Sequence, residues 1–436
     1  MGDGPRQMTL TSVPPALSEK MREWRRDFHK YPERGWAEFR TTAKTAAALR
    51  ASGWYVRFLG DFLHTEDIMG RSIDVLREHA RAAAQGADAS LLAEMGGYTG
   101  LAAELDTGRP GPSVLLRFDI DCVECEEAKD EGHLPARCGF MSENPGLMHA
   151  CAHDGHTAAG LALAELLAAE KDKLSGKITL LFQPAEEGVR GGYAAARSGI
   201  ADGADCFIAL HLGLGRPAGT VVCGMGGFLF TTKFDVEFRG AGAHAGAEPE
   251  RGRNALLAAA SAALNLHAIA PHSAGATRVN VGVLNAGNGR NVVPQSAVMK
   301  IETRGENAEC ARYMYERAME VLKGAALMYG TELSVTKQGE SIGAESDAAL
   351  AAVIAEAARA AEGVKQVETH GVMAASDDAC WLMERVQERG GLASYICVGA
   401  DTAAGHHSER FDFGESAMDT ALSVLAGTVM LLCGRK

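Results

Sequence analysis

The densest run of reactive side chains in the sequence is Met148-His149-Ala150-Cys151-Ala152-His153-Asp154-Gly155-His156. A thiol, several imidazoles and a carboxylate packed this closely are poor material for an apolar core and costly to bury unpaired. A thiolate with imidazoles suits a borderline-soft divalent cation such as zinc. The alternative is that these residues only cap the helix expected over 157–170. A second segment, Phe182-Gln183-Pro184-Ala185-Glu186-Glu187-Gly188, ends an apolar run at Pro184 and carries two adjacent carboxylates into a turn. Neighbouring side chains cannot share one orientation, so one can ligate a cation while the other moves protons. An exposed acidic turn is the plainer reading. Asp119-Ile120-Asp121 follows the apolar run Val114–Phe118, His211 ends the run Cys206–Leu210, and His406-His407 lie beyond Ser394–Val398. Each of these alone reads equally as a turn, a cap or a core histidine. Taken together, Asp119, Cys151, His153, Glu187, His211 and His407 all follow expected strands of one sheet, and as a set they read as a metal centre.

Three further candidates lie in the middle of the chain. His244 sits among small residues in Gly240-Ala241-Gly242-Ala243-His244-Ala245-Gly246, Asn291 in the polar loop Gly289–Pro294, and Arg304 at a strand end. Small residues let a ligand approach the backbone, and an arginine fork matches a carboxylate. Ordinary hairpin and loop chemistry is the alternative for all three.

The elements that must position these groups follow from periodicity. Segments 15–53 and 61–97 read as largely helical. Val114–Phe118, Ile178–Phe182, Cys206–Leu210 and Ser394–Val398 are short continuous apolar runs, as expected of strands covered on both faces, and helices such as Ala158–Glu170 lie between them. This alternation predicts an α/β fold with a mainly parallel sheet, whose ligands bind beyond the carboxyl ends of the strands. From Thr231 the pattern changes to strict alternation, with Phe234, Val236 and Phe238 on one face and Lys233, Asp235 and Glu237 on the other. A helix (254–269), strands (278–284 and 297–303), a second helix (308–328) and a strand (332–336) follow, the β-α-β-β-α-β order of a ferredoxin-like α+β unit. The expected organisation is a discontinuous metal-binding domain (1–228 and 341–436) interrupted by a smaller domain (229–340).

Composition narrows the function. The 436 residues are 47% hydrophobic and 23% charged, enough to build a large core, and 56 acidic against 43 basic residues give a net charge of −13. Such a surface repels phosphate backbones and anionic lipid, which argues against nucleic-acid and membrane-surface roles. No continuous run reaches the roughly 18 apolar residues of a membrane span, and Met1–Pro15 lacks the apolar segment of a secretory signal. Ten irregularly spaced cysteines suggest buried thiols in a reducing cytoplasm. The Cys122-x-x-Cys125 pair has no second pair at zinc-ribbon spacing.

The motifs, in order and across nearly the whole chain, resemble the M20 family of metallopeptidases and amidohydrolases, in its aminoacylase-like branch. The resemblance is carried by Arg25-Arg26-Asp27-Phe28-His29, Asp119-x-Asp121, Cys151-x-His153-Asp154-Gly155-His156, Gln183–Gly188 and Ala243-His244-Ala245-Gly246. Trp36–Thr41, the 61–97 insertion, Leu105–Pro112 and Ala403–Ser408 narrow it toward hydrolases of p-aminobenzoyl-glutamate. It implies a metallohydrolase domain with an inserted lid or dimerisation domain. It implies two divalent metal ions, zinc or manganese, held by Cys151, His153, Glu187, His211 and His407. His407 is preferred to His406 because the family's last ligand precedes a small polar residue and then an aromatic, as Ser408 and Phe411 do. The resemblance further makes Glu186 the general base and Asp121 a catalytic residue acting from behind the ligands. His244 is expected to reach substrate, often in the site of a neighbouring protomer, with Asn291 and Arg304 near the substrate carboxylate. The implied reaction is hydrolysis of p-aminobenzoyl-glutamate, or of N-acyl amino acids and conjugates more broadly. The implied assembly is a homodimer or a hetero-oligomer with a homologous second chain. Two departures stand out: Ala152 where the branch usually has Gly, and Cys122-Val123-Glu124 where it has Asp-Ala-Leu.

Overall fold

A computed structural model describes residues 13–435; most of the N-terminal stretch considered above lies outside them. The four continuous apolar runs form four adjacent parallel strands, in the spatial order Lys177–Gln183, Ser113–Asp119, Cys206–Leu212 and Leu392–Val398. Each is buried along almost its full length, since helices cover both sides. Leu116 and Phe118 pack with helices Pro15–Lys30, Phe39–Ala51, His153–Ala169, Ala348–Ala360 and Ser416–Cys433 on one face. Leu115 points the other way, toward Gly192–Arg197 and Ala379–Glu388. Gly160 lets the central helix sit directly on the sheet: a Cβ there would lie 2.9 Å from the rings of Phe118 and Phe182, which stack at 5.4 Å.

Four further strands of mixed direction extend the sheet to eight. Leu101–Asp106 and Tyr55–Phe58 flank one side, Thr220–Val222 and then Gln366–Glu368 the other. Periodicity does not foretell these edges. Strands of three or four residues are too short to show alternation, and the alanines of Leu101–Asp106 favour helix over strand. The 61–97 segment is less helical than expected: a 3-10 turn at Thr65–Asp67 leads to helices Val75–Ala84 and Ala89–Met95. The C-terminal helix Ser416–Cys433 also corrects the hydropathy reading. It is long and apolar enough to cross a membrane, although Asp419 and several hydroxyls interrupt the run. It lies 72% buried inside the fold, against helices His153–Ala169 and Ala348–Ala360.

Residues 230–341 build a separate four-stranded antiparallel sheet in the order Glu332–Ser341, Phe230–Arg239, Ser296–Gly305, Thr277–Ala286. This is the ferredoxin-like order expected from the alternating pattern. Phe234, Val236 and Phe238 bury against helices Ala255–His267 and Ala308–Tyr329. Asn254 and Asn307 start those helices by accepting the backbone N–H of Leu257 and Cys310.

A buried ionic network ties distant parts of the large domain to the histidine-rich segment. The Arg25 guanidinium, fully buried, reaches Asp154 at 2.8 Å, Asp412 at 2.6 Å and Glu415 at 3.4 Å. His29 bridges Asp154 (2.8 Å) and Glu127 (2.9 Å). The N-terminal helix and the C-terminal loop are thereby fixed to the start of the His153 helix.

Candidate metal centre

The parallel strands deliver their carboxyl ends to one place. Asp119 and Gln183 are the last residues of their strands, His211 the penultimate residue of its own, and His153 the first residue of the central helix. The connecting turns are strained. Seven described non-glycine residues have positive φ, and four of them, Ala152 (66°), Ala185 (56°), Val189 (56°) and His407 (65°), lie within two residues of a candidate ligand or are one. Such backbone costs of order 1–3 kcal/mol each and persists where the surrounding structure over-determines it. At Ala152 the left-handed conformation explains why glycine would be the easier residue.

The five expected ligands are brought together. Sγ of Cys151 lies 3.5 Å from His211 Nε2, and His407 Nε2 lies 3.4 Å from Glu187 Oε1. Donor atoms of Cys151, His153 and Glu187 are all within 4.8 Å of one another. The second nitrogen of each buried imidazole is already engaged. His153 Nδ1–H donates to the Asp121 carbonyl (2.9 Å) and His211 Nδ1–H to the Leu212 carbonyl (2.8 Å). Both rings therefore turn Nε2 toward the cluster, the atom on which a metal would take the place of a proton. His153 Nε2 and Glu187 Oε1 are buried and make only long or poorly aligned contacts, such as the 3.4 Å approach of His407 to Glu187, an arrangement that favours a cation between them.

Electrostatics agree. Burial pushes the Cys151 thiol up, but His211 and hydrogen bonds from His153, His211 and His406 outweigh it and hold the thiol well below its ordinary value. Hydrogen bonding to Cys151 and to Glu187 raises His407 to about 10. This cluster draws in positive charge, and a divalent cation would supply it. The donor set fits the metal that the sequence suggests.

Two other histidines, which also stand within reach of candidate ligand groups, are each engaged at Nε2 by a backbone N–H. His406 approaches Cys151 Sγ through Nδ1 (3.6 Å) but accepts the Leu214 N–H at Nε2 (3.2 Å). A neutral ring with one acceptor nitrogen used must carry its proton on the other, so His406 is a donor to the thiolate. His156 likewise accepts the Leu212 N–H (3.0 Å) and gives its Nδ1 proton to Asp119 (2.5 Å). His407→Ala is accordingly expected to lower bound metal per chain, whereas His406→Ala leaves the stoichiometry near wild type; elemental analysis of both dialysed variants checks this.

Asp121 sits behind the ligands. Its two carboxylate oxygens accept the backbone N–H groups of Glu186 and Glu187, each at 3.0 Å. The adjacent carboxylates are thus aimed by a clamp on their own backbone. Glu186 stays free of that clamp at its side chain, lies 3.9 Å from His153 Nε2, and shares a buried acidic cluster with Asp377 and Asp378. Burial, then Asp377, Glu187 and Asp378, push its carboxyl well above the usual range.

Sequence reasoning did not single out the groups beneath. Arg117, fully buried in a strand, pairs with Asp119 (2.5 Å), Asp378 (2.8 Å) and Asp377 (3.4 Å). An arginine inside an apolar run was the available signal. Glu38 holds the Ala185 N–H (2.8 Å) and the Thr99 hydroxyl (2.6 Å), and burial together with Asp121 raises it to about 8. Since that value exceeds the unfolded one, the group's contribution to stability falls as pH rises from about 4.5 to 8. Glu38→Gln keeps the same hydrogen-bonding shape without the charge. Its unfolding free energy should therefore gain on wild type by up to about 1.4 kcal/mol per pH unit across that window, as read by denaturant titrations at pH 6 and 8.

His244, Asn291 and Arg304 are not brought to the centre within the chain. A cleft of about 820 Å³ lies between the Glu187 turn and the polar face of the smaller sheet, and none of the three lines it. His244 and Asn291 share one exposed edge, where the Ala245 N–H reaches the Asn291 carbonyl (3.0 Å) and Val293 N–H that of Ala243 (2.9 Å). His244 Nδ1 accepts the N–H groups of Gly246 and Ala247, which leaves the neutral ring's proton on outward Nε2. Arg304 is held by Glu302 at 2.6 Å.

Residues 115–431 match peptidase family M20/M25/M40. The chain is 49% identical over 418 residues to indole-3-acetyl-aspartic acid hydrolase of Enterobacter agglomerans, covering 95% of this chain and 96% of that protein. It is 48% identical over 419 residues to one of the subunits of p-aminobenzoyl-glutamate hydrolase from Escherichia coli (strain K12), with the same coverage. The crystal structure of an aminobenzoyl-glutamate utilization protein from Klebsiella pneumoniae superposes with a TM-score of 0.81 at 44% identity, over 96% of each chain.

Proposed function

Because the chain belongs to the M20/M25/M40 peptidase family and is a metal-dependent amide hydrolase, we propose that it cleaves p-aminobenzoyl-glutamate to p-aminobenzoate and glutamate. The 48% identity to a subunit of p-aminobenzoyl-glutamate hydrolase supports this substrate, and the gathering of Cys151, His153, Glu187 and His211 at the carboxyl edge of the sheet supports the metal-dependent chemistry. The second reading, hydrolysis of amino-acid conjugates more broadly, is favoured by the similarly close indole-3-acetyl-aspartic acid hydrolase. Both named substrates release an acidic amino acid.

We assign two divalent ions, zinc or manganese, to Cys151, His153, Glu187, His211 and His407. When bound, they supply Lewis acidity that acidifies a water and polarises the amide carbonyl. Glu186 takes the proton of the attacking water at its carboxylate and returns it to the departing amide nitrogen. Burial and Asp377 raise its affinity for a proton, which favours holding the proton between the two transfers. Asp121 keeps Glu186 and Glu187 facing apart through their backbone N–H groups. Nε2–H of His244 donates to the developing oxyanion, and Asn291 and Arg304 take the substrate carboxylate. Because these three stand away from the chain's own cleft, their role implies a second protomer, either another copy or a homologous chain. The residues 229–340 then form the inserted domain that presents them. A reducing cytoplasm preserves the Cys151 thiolate.

Elemental analysis of the purified chain, combined with release of p-aminobenzoate on adding metal, tests the assignment. Stoichiometric divalent metal and product release are expected. Metal-loaded protein that leaves both p-aminobenzoyl-glutamate and indole-3-acetyl-aspartate intact, alone and with a homologous partner chain, would contradict it.

A further inference from the structure

We propose that Arg190 selects the acidic amino acid, its guanidinium receiving the side-chain carboxylate of an N-acyl glutamate or aspartate bound over Glu187. The proposal rests on the amide-hydrolase reading above and adds the residue that sets its preference. Gly188 (φ 81°) and Val189 (φ 56°) reverse the chain just after the Glu186-Glu187 pair. The Arg190 side chain consequently folds back over the turn, where Nε donates to the Glu187 carbonyl (2.8 Å) and Nη1 to the Gly70 carbonyl (3.4 Å).

The sequence provides a slot for it. A Cβ on Gly35 would lie 2.3 Å from Nη2, one on Gly70 2.7 Å from Cδ, and one on Gly188 3.2 Å from Nε. Gly35 and Gly70 thus leave room for the arginine side chain, while the positive φ of Gly70 and Gly188 and the approach of Gly70 to the Gln338 carbonyl call for glycine on their own account. The slot opens into the cleft that Glu187 also lines.

No carboxylate pairs with the half-buried Arg190 among the described residues; its two hydrogen bonds go to backbone carbonyls, and Nη2 makes none. Of the other cations lining the cleft, Lys233 pairs with Glu302 and Arg34 lies 3.8 Å from Glu124; Lys300 makes no ion pair among the described residues, but it is solvent-exposed and stands opposite Asp235 in the neighbouring strand. A partly desolvated guanidinium beside a candidate metal ligand, with free donors and no counterion, is suited to a carboxylate brought by the substrate. A glycine conjugate offers one carboxylate; glutamate and aspartate conjugates offer a second.

The test uses the metal-loaded full chain with N-benzoyl-glutamate and N-benzoyl-glycine. Arg190→Gln should lower the glutamate-to-glycine ratio of kcat/KM about 10- to 100-fold, mainly through KM. Arg190→Lys, which keeps the charge but loses the fork, should fall between. A purely structural Arg190 would reduce both substrates equally, and that result overturns the proposal. Calorimetry on the unaltered protein supplies a measurement independent of how the variants fold. L-Glutamate should bind at least about tenfold tighter than L-glutamine, and equal affinity would again overturn the assignment. Should the unaltered protein hydrolyse neither amide, the amide-hydrolase reading fails, while calorimetry still decides the role of Arg190.

Discussion

Glu186→Gln is expected to lower kcat by a factor of about 10²–10⁴ while leaving bound metal and the substrate KM close to wild type. The substitution is nearly isosteric and removes only the ability to take and return a proton. The structure explains why the loss should be clean. Glu186 is aimed through its backbone N–H by Asp121, so the side chain can change without releasing Glu187 from its own 3.0 Å hydrogen bond to the same carboxylate. The measurement pairs single-turnover rates with metal content. Turnover within threefold of wild type would remove Glu186 from the proton-transfer role. Loss of metal would instead place it among the ligands.

Arg117→Met is expected to cost about 3–5 kcal/mol of stability at neutral pH, the usual scale for stripping one partner from a buried ionic cluster. Arg117 is fully buried and neutralises Asp119, Asp377 and Asp378. Burial raises Asp119, yet His153, His156 and Arg117 outweigh it and hold the carboxyl well below its ordinary value. The sign follows. A carboxylate with a depressed folded pKa stabilises the fold above its unfolded value and loses that contribution as pH falls through the folded one. The Met variant gives up Arg117's share of that depression. Its deficit should shrink as the medium is acidified, first at and above pH 7 as Asp378, raised to about 7 even beside Arg117, takes up a proton. It should shrink again below about pH 4 through Asp119, where the unfolded aspartates also bind protons. Denaturant unfolding at pH 7 and at lower pH reads both effects. A deficit under about 1 kcal/mol at pH 7 would show that the cluster is hydrated or otherwise compensated. Bound metal should fall as well, since Asp119 steers His156, which in turn holds the Leu212 backbone beside His211.

Much of this protein is written locally. Continuous apolar runs specify the four parallel strands because a strand covered on both faces needs no polar residue, and strict alternation from Thr231 specifies the half-covered sheet of the smaller unit. Cys151, His153, Glu187 and His211 are legible because reactive side chains at strand ends have few other uses in a packed α/β fold. Which of the paired histidines faces the metal is settled by local motif only through family resemblance. In the folded chain the Leu214 N–H occupies His406 Nε2, which favours His407 for the metal. Arg117, Asp377, Asp378 and Glu38 act on the centre through partners up to 261 residues away in the chain. Sequence spacing carries no information about such pairs, because desolvation and Coulomb energies depend on separation in space. The uncompensated charge of Arg190 and the separation of His244 from the cleft likewise exist only once the two sheets are set against each other.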